Sequence, residues 1–147
     1  MIDVITFDVR GTPRPQGSMR LHKLPNGGTA ARYPAAVYEW RAIVQQAAAD
    51  AMLGRAPILG AVQLGLGFDL PRPLGHFGTG RNAGSIRPSA AQYPTVAPDL
   101  DKLCRCVADA LTDAGVWKDD SQVVTLVAAK RYIDMRPGVK ITVTPLP

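Results

Sequence analysis

Hydrophobic positions in this chain follow two periods. Val62, Leu64, Leu66, Phe68 and Leu70 alternate with polar or small residues over 61–70, the pattern of a strand with one buried face. The same alternation returns in VKITVTP from Val139, which predicts a final strand, and Pro137-Gly138 before it predicts a turn. Residues 2–9 (IDVITFDV) and 122–132 (QVVTLVAAKRY) are rich in β-branched residues and read as further strands. Helical spacing governs two segments. From Ala35 to Leu53, Val37, Trp40, Val44, Ala47 and Ala51 recur on one face, with Gly54 as the stop. From Leu100 to Ala114 the stripe is Leu103, Val107, Ala110, Leu111 and Ala114, with Gly115 at the C′ position.

Two stretches have no period. Gly11, Pro13, Pro15 and Gly17 break regular structure, and the segment to about Gly28 reads as a basic loop. The segment 71–98 holds five prolines and four glycines. A connection of that length in a small domain is either functional or disordered. The predicted order is β-α-β-loop-α-β-β, an α+β fold in one domain spanning 1–147, with the last two strands forming a hairpin.

Composition adds a class. With 46% hydrophobic and 20% charged residues in 147 positions, the chain is globular rather than disordered. No apolar run approaches the roughly 18 to 20 residues needed to cross a bilayer. The acidic start MIDVITFDVRG differs from the cationic start of a signal peptide. Cys104 and Cys106, two apart on a predicted helix, point in different directions and do not suit a disulfide or a metal pair. A cytoplasmic protein is expected, with no membrane partner and no organic cofactor.

The net charge of +5 is segregated. No acid falls between Val9 and Tyr38, a window with Arg10, Arg14, Arg20, Lys23 and Arg32; none falls between Leu70 and Pro98, which holds Arg72, Arg81 and Arg87. Arg outnumbers Lys twelve to five, and the planar guanidinium suits bidentate phosphate contacts. Acid-free basic segments beside an acid-rich one suggest a polyanion track around a metal site, although solubilising surface charge would give the same count.

The acid-rich segment is PDLDKLCRCVADALTDAGVWKDDSQVV, from Pro98 to Val124. Asp99 and Asp101 stand at the mouth of the second helix, where each suits either a helix cap or a metal ligand. Inside a regular helix they would diverge by about 200°. They converge if Asp99 is still extended and Asp101 begins the helix, and Arg105 then lies one turn on from Asp101. Asp119 and Asp120 follow the helix. Its length of about 20 Å separates them from Asp99, so the next strand must run back or a second subunit must close the site. Trp117 suits a core anchor at this turn, and Asp109 a partner of Arg105 at i+4. Arg14, Arg20 and Lys23 are candidate phosphate contacts of a polyanion, as are Arg72, Arg81, Arg87 and Lys102; His76 suits either such a contact or a solvated loop position.

DLDKLCRCVADALTDAGVWKDDSQVV resembles the signature of the RusA family of Holliday junction resolvases, and FDVRGTPRPQGSMR resembles that family's first strand and basic loop. The resemblance implies a RusA-like mixed sheet with helices packed on it and a homodimer. It implies a Mg²⁺-dependent endonuclease, with Mn²⁺ as a substitute, that nicks four-way DNA junctions in pairs during recombination and repair. By motif position, Asp99, Asp101 and Asp120 fall on the catalytic, metal-binding acids, and Arg105 on the family's essential basic residue, usually Lys. Lys102 stands where many members have Asn. Arg105 keeps the charge without a titratable amine, which favours phosphate stabilisation over proton transfer. Asp119 falls on an acid of secondary role. The alternatives are a branched-DNA-binding module without catalysis, and a nuclease of this fold acting on other branched DNA.

Overall fold

In a computed structural model describing residues 3–147, strand β4 (Val62–Pro71) organises the chain. Its alternation is realised in full: Val62, Leu64, Leu66, Phe68 and Leu70 are all buried. Around it the sheet takes the order β1-β6-β4-β5, with β1 at Ile5–Arg10, β5 at Val123–Ile133 and β6 at Gly138–Pro145. β1 pairs antiparallel with β6, β6 antiparallel with β4, and β4 parallel with β5. Helices α1 (Ala35–Ala51) and α2 (Leu100–Asp113) pack on each other and contribute to the same core as the sheet. The fold is α+β with a mixed sheet. The first strand starts later than its sequence pattern suggests, and Ile2 lies outside the described residues.

The expected hairpin of the last two strands does not form, because β4 lies between β5 and β6. Burial explains the choice. Val139, Ile141 and Val143 of β6 are buried between β1 and β4. β5 alternates less cleanly and takes the edge, where Val124, Leu126 and Val127 stay 62%, 51% and 60% exposed. α2 therefore serves as the crossover of a parallel β4-α2-β5 unit.

The N-terminal basic segment is also more ordered than its composition implies. After the loop, β2 (Arg20–Lys23) and β3 (Thr29–Arg32) form a separate antiparallel hairpin. Its turn is closed by Leu24 N–H on the Gly28 carbonyl at 2.8 Å and by Asn26 Oδ1, which accepts from Gly28 N–H at 2.9 Å. Asn26-Gly27 is a hairpin signal, but β2 is exposed throughout, so no alternation marks it. The long 71–98 connection holds two 3₁₀ turns, Leu74–His76 and Gly80–Asn82, and a bridge between Phe77 and Ile86. Gly11, at φ +139°, has a conformation that favours glycine, and a Cβ there would meet the Trp40 ring at 3.0 Å.

Each helix buries most of its stripe; Ala47, Ala51 and Ala114 are only half-buried, and in α1 the fully buried alanine is Ala48 instead. Val37, Trp40, Val44 and Ala48 of α1 are buried, as are Leu103, Val107, Ala110 and Leu111 of α2. Cys104 and Cys106 join the core as free thiols that burial pushes up to about 11, so neither is a ready nucleophile or ligand. Among the described residues no helix is long and apolar enough to cross a membrane.

Trp117 anchors the turn after α2, buried to 1% exposure, with its Nε1–H donating to Thr112 Oγ1 at 2.7 Å. Replacing it by Ala leaves a cavity and an unpaired hydroxyl acceptor. Urea unfolding of Trp117→Ala should show a loss of about 3–5 kcal/mol with the slope unchanged.

Candidate active site

The entry to α2 decides where its acids point. Asp99 is the N-cap residue with extended backbone (φ −69°, ψ 137°), and Asp101 lies in the first helical turn. The backbone is thus extended at Asp99 as expected, but the two side chains do not come to one surface: Asp101 lines a concavity beside α2 and Asp99 does not. The Asp99 carboxylate makes no capping hydrogen bond; it pairs instead with Lys102 Nζ at 3.0 Å. Lys102 is therefore occupied by Asp99, which raises its pKa first through their hydrogen bond and then through charge. A solvent-exposed pair of this kind opens readily for a stronger anion.

Beyond the C-terminal end of α2, Asp119 and Asp120 differ in role although they are neighbours. Asp119 caps the 3₁₀ turn Asp120–Gln122, its Oδ1 accepting from Ser121 N–H at 2.8 Å. Gln122 completes the capping box: its Oε1 accepts from the backbone N–H groups of Lys118 and Asp119, and its Nε2 donates to the Ile58 and Gly60 carbonyls. The turn is thereby fixed to the segment entering β4. The backbone donation from Ser121 holds Asp119 below the ordinary carboxylate range. Asp120 is left outside the cap, and desolvation, then Asp119 and Asp109, raises it. Gln122 was legible as the last position of a D-x-x-Q capping box.

Between these ends lies one concavity of about 270 Å³, lined by Leu64, Asp101, Cys104, Arg105, Ala108, Asp120, Val123 and Leu126. Asp101, Arg105 and Asp120 thus share a surface made from α2, the capping turn and β5. Asp99 is not part of that lining. Among the described residues no group of three His, Cys, Asp or Glu side chains is close enough to hold a metal ion. The single chain does not assemble Asp99, Asp101 and Asp120 as one metal site. β5 does run back toward the mouth of α2, but the side chain it delivers there is Lys130, whose Nζ donates to the Val96 and Pro98 carbonyls at 2.9 and 2.8 Å.

Residues 10–144 match the family described as endodeoxyribonuclease RusA. The chain belongs to the RusA endodeoxyribonuclease family. It is also 30% identical over 146 residues to the uncharacterized protein YqaN of Bacillus subtilis (strain 168), across 97% of this chain and 96% of that protein. Within this RusA-family chain, the acid-rich segment and the basic N-terminal loop are held together by a residue that charge patterning does not reveal.

Gln16 is the one buried polar residue among those described, at 1% exposure. Its Nε2 donates to Asp109 Oδ2, its Oε1 accepts from Arg41 Nη1 at 3.3 Å, and its backbone N–H donates to the Lys102 carbonyl at 3.0 Å. Arg41 also donates to Asp113 from Nε at 2.9 Å and from Nη2 at 2.6 Å. Asp109 was expected to pair with Arg105. Its carboxylate is instead taken by Gln16 and approached by Arg41 at 4.0 Å, because α1 packs along that face of α2. Arg105 makes no salt bridge or side-chain hydrogen bond among the described residues and is exposed on the concavity.

The basic residues of this RusA-family protein divide by the same test. Arg72, expected to meet DNA, is turned inward: its side chain is 11% exposed, its guanidinium lies 4.7 Å from the Tyr132 ring centroid, and Nη1 donates to the Ala91 carbonyl at 2.8 Å. That packing replaces the expected phosphate contact. His76 stands edge-on to Tyr132 at 5.2 Å, and Arg87 Nε donates to the Phe77 carbonyl at 2.6 Å. Arg14, Arg20, Lys23 and Arg81 are exposed and make no side-chain ion pair or hydrogen bond among the described residues.

The two neighbouring acids should titrate apart. Followed by side-chain carboxyl NMR, Asp119 should have a midpoint below the usual range and Asp120 one above it. The signs for stability are opposite. Asp119 stabilises the fold at neutral pH, a contribution lost as pH falls through its depressed midpoint, whereas ionised Asp120 costs stability as pH rises through its elevated one. Equal midpoints would contradict the capping geometry.

Proposed function

We propose that this protein is a Mg²⁺-dependent endonuclease that resolves four-way DNA junctions as a homodimer. The observation that carries the reading is the shared concavity of Asp101, Arg105 and Asp120 in a cationic chain of the endodeoxyribonuclease family. In that role Arg105 offsets charge on the scissile phosphate; a guanidinium does not release its proton near neutral pH, so it orients and stabilises rather than shuttling. Asp101 and Asp120 offer oxygen donors, the ligand type Mg²⁺ prefers. When bound, the metal would supply activation of water and neutralisation of phosphate charge.

The homodimer reading has its own support. One chain leaves the three acids apart, and β5 leaves a free sheet edge with Val124, Leu126 and Val127 exposed. An apolar edge strand of this kind is a ready surface for a second strand. It borders the concavity through Leu126, so a second copy seated there would bring its own side chains to the same place. Two-fold symmetry would match paired cuts in a near-two-fold junction.

Incubation of the protein with a synthetic four-way junction and Mg²⁺ or Mn²⁺ tests the activity. Asp101→Asn should lower cleavage by about 100-fold or more, on the scale of losing one charge-stabilising group, while junction binding persists. An intact junction with wild-type protein under both metals would sink the enzyme reading. For the assembly, sedimentation should show a dimer that Val127→Lys shifts to monomer; a wild-type monomer at assay concentration would refute it.

A further inference from the structure

A second recess lies between the N-terminal loop, the end of β4 and the segment that enters α2. It measures about 200 Å³, and its walls include Pro13, Pro15, Pro71, Pro94, Pro98 and Tyr132. We propose that this recess receives one unstacked nucleobase of the bound DNA and thereby fixes the position of the strand to be cut. The inference rests on the reading of the Asp101–Arg105–Asp120 surface as a DNA-cleaving site.

Size and surface chemistry select the ligand. The recess is smaller than the roughly 300–1,000 Å³ pockets that hold drug-sized molecules, and suits one heterocycle rather than a base pair. Proline rings and a tyrosine ring present flat apolar faces, on which any base can stack. No acid lines it, and its one charged lining residue is Arg14. Arg14 is exposed and without an ion pair among the described residues, so it is free to meet the phosphate of the same nucleotide. A base at a branch point has already lost a stacking neighbour, which makes its extrusion least costly there.

Position ties the recess to the mouth of α2. Pro98, in its wall, directly precedes Asp99. Lys130 holds that wall through the Val96 and Pro98 carbonyls. Tyr132 is held in turn by the Arg72 guanidinium over its ring and by His76 at its edge. The walls are set before a ligand arrives, which lowers the ordering cost of binding. The inward turn of Arg72 thereby gains a purpose: it supports the aromatic wall.

The test uses full-length protein and four-way junctions carrying 2-aminopurine at successive positions around the crossover, in EDTA so that binding is read without cleavage. Wild type should change the fluorescence at one position near the crossover. Val96→Trp, which fills the recess from a residue 61% exposed, and Tyr132→Leu, which removes the aromatic wall, should abolish that change. In Mg²⁺, cleavage of a fixed junction by either variant should fall by about fivefold or more, the least one stacked base contributes. Circular dichroism and junction affinity report whether the variants fold. An unchanged signal and cleavage rate in both folded variants would overturn the proposal, as would a wild-type signal spread over all positions. A localised signal without cleavage would refute the nuclease reading alone; cleavage without a localised signal would refute the recess alone.

Discussion

The parallel β4-α2-β5 crossover is the constraint on which the site depends. A parallel pair obliges the intervening helix to return antiparallel to both strands. The residues at the mouth of α2 are then separated from those that follow it by the helix length, about 20 Å for the 14 residues Leu100–Asp113. Asp99 and Asp101 cannot meet Asp120 through the backbone. What joins them is the side of the helix, where Arg105 and Ala108 face the concavity between Asp101 and Asp120. Asp101 and Asp120 lie along this surface with the Arg105 cation between them, and among the described residues they are not gathered with a third acid into a metal cage.

A second link makes the basic and acidic halves of the chain one body. Gln16 belongs to the N-terminal loop, Asp109 to α2 and Arg41 to α1, and their hydrogen bonds meet in a largely buried place. A buried amide with both ends satisfied is favourable, while one left unpaired costs about 1–3 kcal/mol. The loop carrying Arg14 is therefore registered against the helix carrying Asp101 rather than tethered by chain alone. Asp109 also contributes to the raised pKa of Asp120, so the residue that fixes the loop also influences the second acid.

The sequence was most legible where one face of an element is buried. Val62 to Leu70 and the α2 stripe follow their periods and appear as read. The β2-β3 hairpin was not legible from periodicity, because an exposed ribbon has no buried face to impose it. Strand order was lost for another reason: proximity in sequence favours a hairpin, whereas the depth of burial of Val139, Ile141 and Val143 places β6 inside the sheet and leaves β5 at its edge. At the site, the extended Asp99, the one-turn step from Asp101 to Arg105 and the structural part of Asp119 all follow from local spacing. The partner of Asp109 and the orientation of Arg72 depend on distant elements, and one-dimensional spacing carries no record of those.

The same distinction changes what a net charge of +5 means. Arg41, Arg72, Arg87 and Arg131 each bond within the fold, to Asp113, the Ala91 carbonyl, the Phe77 carbonyl and Asp69 respectively. Lys130 holds the entry to α2. These cations shape the surface through bonds within the fold. Arg10, Arg14, Arg20, Lys23, Arg32, Arg81, Arg105, Lys118, Arg136 and Lys140 have no such bonds among the described residues and remain exposed. A guanidinium bonded internally must break that contact before it meets a phosphate, whereas an unpaired one loses only water and released counterions favour the exchange. A count of net charge treats all these cations alike; the fold separates those already engaged in internal bonds from those whose charge stays available to a polyanion.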